Sequence, residues 1–163
     1  VIATEELVLK HLEWKLACPS SIEFMFAFLK ILGIEKDTRT TSLCSYILEL
    51  SLMFPTTLKY PPSITAASSM VLAFYCFKND TLWPDTLSNN TGLELKDLAE
   101  SCVSLSQEIE GARLPTTNRL DMIHRRYNKP CRHNAAQEPI PILTSKTTLM
   151  DYEERLRSRK HNL

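Results

Sequence analysis

An all-α fold is predicted for this chain, and three observations carry the prediction. The run from Ser63 to Phe77, opened by Pro61-Pro62, holds no charged residue. Proline suits a first helical turn, where its missing N–H is tolerated, so this run reads as one helix that is apolar on every side and therefore surrounded by other helices. At the helical rise it is roughly 22 Å long, short of the roughly 30 Å hydrocarbon core of a membrane. The chain holds only three glycines, and its strongest apolar spacings are three- and four-residue steps rather than alternation. Hydrophobic residues make up 44%, enough for a core in 163 residues without a metal or disulfide staple.

From the N-terminus, Glu5 to Lys10 is helix-like, with Val8 and Leu12 four apart. Leu12, Trp14 and Leu16 then alternate with His11, Glu13 and Lys15, the pattern of an extended strap laid over a surface, which Pro19 ends. Ser20-Ser21-Ile22-Glu23 is a capping box and opens a helix with the stripe Phe24, Phe28, Leu32, with Met25 and Leu29 alongside; Gly33 stops it. The next helix starts near Asp37 or Thr38 and carries Leu43, Tyr46, Ile47, Leu50 and Phe54 up to Pro55. The central helix, about 61–78, follows, its uncharged run ending at Phe77.

After a turn at Trp83-Pro84, a long helix from about Glu94 to Glu110 presents Leu95, Leu98, Cys102, Leu105 and Ile109, with Gly111 closing it. A last one runs from about Thr116 to Tyr127, with Leu120, Ile123 and Tyr127 inward. Residues 135–163 are polar, with prolines near their start and charges near their end, and are expected to be disordered.

Composition narrows the function. Lys plus Arg equals Asp plus Glu at 19 each, which removes overall charge as an argument for nucleic acid or membrane partners. Cys18, Cys44, Cys76, Cys102 and Cys131 form no C-x-x-C pair and stand near no histidine at ligand spacing, so neither a metal nor another cofactor is expected. Reduced thiols and an intracellular location follow, and a charged segment leading into an apolar run is missing at the start. Val1 stands inside a helical pattern, which reads as a fragment or a truncated form of something longer.

No nucleophile elbow, phosphate loop or zinc-protease motif is present, and the expectation is a protein that is not an enzyme. The cations Arg119, Arg125, Arg126, Lys129 and Arg132 have the composition of a phosphate-binding patch, but cations at a helix C-terminus are also what the macrodipole favours.

Several separated segments resemble one family. Glu49-Leu50-Ser51-Leu52, Leu58-Lys59-Tyr60-Pro61-Pro62-Ser63-Ile64-Thr65-Ala66-Ala67, Trp83-Pro84 and Thr91-Gly92-Leu93 are similar in order and spacing to the C-terminal cyclin box of mitotic A- and B-type cyclins. Leu7-Val8-Leu9-Lys10 through Pro19-Ser20 resembles the last helix of the N-terminal cyclin box and its linker, and Ile123 to Tyr127 the closing helix of the second box. The resemblance implies a five-helix cyclin-like fold around a central helix, preceded by a helix-plus-linker remnant. It divides the chain into 1–18 (remnant and linker), 19–134 (C-terminal box) and 135–163 (tail).

By the same resemblance the chain is part of a regulatory subunit of a cyclin-dependent Ser/Thr kinase in cell-cycle control, found in nucleus and cytoplasm. Its partners are that kinase and an N-terminal cyclin box. The family's glutamate that accepts kinase backbone donors falls on Glu5. Most of the first box, with its substrate-docking helix and its kinase-gripping lysine, has no counterpart in these residues. Two other readings remain: a nucleic-acid-binding module of the general transcription factor type, which uses the same fold, and a non-activating or decayed cyclin paralogue.

Overall fold

Helix boundaries follow from local chemistry in the computed structural model, which describes residues 2–113 and 121–161. Among the described residues, eight α-helices appear in order: α1 (Ile2–His11), α2 (Ser21–Ile31), α3 (Thr38–Ser51), α4 (Pro62–Cys76), α5 (Asp85–Thr91), α6 (Leu95–Arg113), α7 (Asp121–Tyr127) and α8 (Lys146–His161). Short 3-10 turns fill three connections, and no strand occurs among the described residues. None of the described helices is long and apolar enough to cross a membrane.

The Ser20 capping box is formed: its side chain accepts from the Glu23 N–H, and the Glu23 carboxylate accepts the Ser20 N–H at 2.6 Å. Those bonds from Ser20 hold the Glu23 carboxyl below its ordinary value. Asp37 caps α3 by accepting from the N–H groups of Arg39 and Thr40. Burial works against ionisation of Asp37, yet the Thr40 hydroxyl and these backbone donors outweigh it and lower its pKa.

The central helix α4 is buried without a break from Thr65 to Phe74 and packs against α2, α3 and α6. Its small residues let neighbours approach closely: the thiol of Cys44 on α3 points at the Ser69 carbonyl (3.7 Å), and that of Cys102 on α6 at the Ser68 carbonyl (3.9 Å). Both cysteines act as small core side chains, whereas Cys18 and Cys131 are exposed. Trp83 fastens the far end, edge-on to Phe28 with centroids 6.0 Å apart and its indole N–H donating to the Leu93 carbonyl. On the opposite flank of α3, Tyr46 meets His124 at 2.8 Å, and the Tyr127 hydroxyl donates to Glu49 at 2.7 Å.

The predicted apolar stripes of α2, α3 and α6 face the core, with Phe24, Leu32 and Phe54 half-buried and the other stripe residues buried. Boundaries differ in places. Gly111 lies inside α6, which runs on to Arg113. An interior glycine costs a helix only about 1 kcal/mol relative to alanine, and burial of Ala112 one residue further supports the extra turn. The helix α3 ends at Ser51, leaving Phe54 in the connection, and a short helix, Asp85–Thr91, follows the expected turn at Trp83-Pro84 where no element was assigned. Of the predicted helix 116–127 only α7 is described; Arg119 and Leu120 lie outside the described residues.

The largest correction concerns residues 135–163, expected to be disordered. Ile140 and Leu143 are buried, the Leu143 N–H donates to the Ser106 hydroxyl at 3.0 Å, and α8 packs on α6. The segment is polar on average, but Leu149, Tyr152, Glu153 and Leu156 recur at helical steps and gather on one face. Tyr152 packs on Tyr75 of α4 with ring centroids 4.2 Å apart.

Candidate interaction surface

The helix α1 has no buried residue. Its last turn is closed by the Trp14 N–H donating back to the Leu9 carbonyl at 3.0 Å, with Glu13 and Trp14 both at positive φ, so the apparent alternation from Leu12 begins as a helix-ending turn and not as extended chain. Only from Lys15 does the linker run out without regular structure to the α2 cap.

Large apolar side chains stand in water along this whole stretch: Ile2, Leu7, Val8, Leu12, Trp14 (64% exposed) and Leu16, with Leu9 half-buried. Fully covering side chains of this size is worth about 1.5–3 kcal/mol each, so a contiguous series left open is an adhesive face. The charges interleaved with it are partly neutralised, Glu6 pairing with Lys10 at 2.8 Å. Glu5, in the first turn of α1, is exposed and has no ion-pair partner among the described residues. A free carboxylate beside an open apolar face can accept charge-assisted hydrogen bonds from an incoming partner.

The described cations of the basic cluster are largely occupied by neighbouring groups. Arg126 pairs with Glu49 at 2.9 Å and Arg125 with Asp121 at 2.5 Å, while Arg132 lies over the Tyr127 ring. Burial, and then the bond to Glu49, push the Tyr127 phenol above its ordinary range. Of these, Arg126 fastens α7 to α3, Arg125 is paired within α7, and Arg132 packs on Tyr127 from the turn that follows. Among the described residues, no group of three or more His, Cys, Asp or Glu is placed to hold a metal ion.

The family model for the cyclin C-terminal domain matches residues 19–141, three quarters of the chain. The chain belongs to the cyclin C-terminal domain family. Similar proteins include cyclin-A1 of Homo sapiens (36% identical over 64% of this chain), cyclin-A1 of Mus musculus (33% over 88%) and cyclin-B1-3 of Arabidopsis thaliana (32% over 61%). The matches span 22%, 33% and 24% of those relatives, so the chain corresponds to a minor part of each. Cyclins are regulatory rather than catalytic proteins.

The matched region of this chain begins at residue 19, immediately after the linker, so Glu5 and the exposed apolar series stand outside it. Sequence reading took Leu12, Trp14 and Leu16 for a strap laid over a surface, whereas all three are exposed. It missed the seating of α8, although the steps from Leu149 to Tyr152 and Leu156 were a legible signal.

Proposed function

We propose that this chain serves in a regulatory subunit of a cyclin-dependent Ser/Thr protein kinase in cell-cycle control, contributing the C-terminal cyclin box and no catalysis of its own. The observation that carries the reading is the open face of α1 and the linker, with Leu7, Leu12, Trp14 and Leu16 exposed beside a second box whose own core is filled. Kinship to A- and B-type cyclins supports the choice of partner.

In this reading an N-terminal cyclin box covers the apolar face, and Glu5 lies at its edge, accepting hydrogen bonds from backbone donors of the kinase. The second box brings its own closed helical core, to which the linker ties α1. Action in nucleus and cytoplasm goes with that role.

The test combines this chain, an N-terminal cyclin box of the A type and a cyclin-dependent kinase, and reads complex formation by native mass spectrometry. A ternary complex that Glu5→Ala weakens supports the proposal. Failure of the chain to associate with either component overturns it.

A further inference from the structure

A cleft of about 480 Å³ opens where α8 crosses the connection into α6. Its floor is apolar: Trp83 and Leu95 are buried beneath it, and Met150, 40% exposed, stands at its mouth. Methionine at an opening is an adaptable contact, since its unbranched thioether refits to different shapes.

The rim is acidic. Asp85, Glu94, Glu153 and Glu154 face two cations, Lys96 and Arg157, an excess of two negative charges. Lys96 pairs with Glu94 at 2.6 Å, and Glu153 is engaged by the Leu82 N–H, the Thr81 hydroxyl and Arg157. That leaves Asp85, 87% exposed and touching Arg157 only at 3.8 Å, and Glu154, with no ion-pair partner among the described residues. Arg157 itself shows that a guanidinium fits between Asp85 and Glu153.

We propose that this cleft is a docking site for a short peptide segment that carries a basic residue beside an apolar one. The apolar side chain lies on Met150 over Trp83 and Leu95, while the cation is held by Asp85 and Glu154. Arg157 competes with the incoming cation for Asp85. The site is separate from α1 and stands or falls independently of the kinase-regulating role.

The probe is a fluorescein-labelled, end-capped hexapeptide of alternating arginine and leucine, titrated into the full chain and followed by anisotropy. Control peptides carry glutamate for arginine or serine for leucine. Expected are saturable binding of the first peptide alone, a loss of about tenfold or more with Asp85→Lys plus Glu154→Lys, and tighter binding with Arg157→Ala. The Trp83 indole N–H resonance should shift on binding, while that of Trp14, exposed in the linker, serves as an internal reference and stays. Absence of saturable binding, equal binding to the charge-reversed chain, or a shift of Trp14 in place of Trp83 would overturn the proposal.

Discussion

The Glu153 carboxylate accepts the backbone N–H of Leu82 at 2.8 Å across 71 residues of chain, and its other oxygen accepts the Thr81 hydroxyl at 2.9 Å. With Glu153 only 5% exposed, this acid on a polar-looking helix is the latch that seats α8. Glu153→Ala leaves the Leu82 N–H without its acceptor and should cost about 2–3 kcal/mol in urea unfolding, with faster amide exchange at Leu82. Glu153→Gln keeps an acceptor oxygen and should cost roughly half as much. Equal stability of all three chains would remove the latch.

That latch also shows where sequence reading stopped. The stripes of α2, α3 and α6 and the wholly apolar α4 were legible because each buries a face with an unmistakable period. Residues 135–161 were not, because their seating depends on a few side chains, Ile140, Leu143, Leu149 and Glu153, meeting receptors far away in sequence. The apolar residues from Leu12 to Leu16 were legible only as a strap, since the helix-ending turn at Glu13 and Trp14 leaves no mark in the alternation, and the cleft beside Met150 exists only once α8 is docked.

Burial pushes the thiols of Cys44 and Cys102 from the ordinary 9.0 up to about 12. Between these values the unfolded chain loses the protons and the folded one keeps them, so stability is full below 9 and falls as pH rises toward 12. Each thiol contributes a slope of about 1.4 kcal/mol per pH unit inside that window, and the raised Tyr127 phenol acts in the same direction. Urea midpoints measured from about pH 8 to about pH 11 should decline, and Cys44→Ala with Cys102→Ala should flatten the decline. An unchanged slope in the double variant would contradict the burial argument.

The hydroxyls of Ser68 on α4 and Ser101 on α6 are buried without a hydrogen-bond partner among the described residues. Removing such a group relieves a desolvation penalty of about 1–3 kcal/mol, offset by the small void it leaves, so Ser68→Ala and Ser101→Ala should each be neutral or stabilising by about 1 kcal/mol in thermal unfolding. A clear loss of stability would mean that these hydroxyls are satisfied in solution.

Two classes of glycine should respond with opposite sign. Gly111 lies within α6, and a Cβ added there meets nothing within 4 Å, so Gly111→Ala should stabilise by about 0.5–1 kcal/mol. Gly33 and Gly92 have equally open surroundings but sit at φ +69° and +71°, so alanine at either should destabilise by about 1 kcal/mol. Urea denaturation of the three variants checks both signs.

In the proposed role, α1 and its linker form a face that a partner covers. Hydrogen exchange of the chain, alone and mixed with an N-terminal cyclin box and a cyclin-dependent kinase, tests it most directly. New protection should concentrate at residues 5–16 and be abolished by Leu7→Ser with Trp14→Ser, while the amides of α4 stay as they were. Complex formation with no change in exchange at residues 5–16 would contradict it.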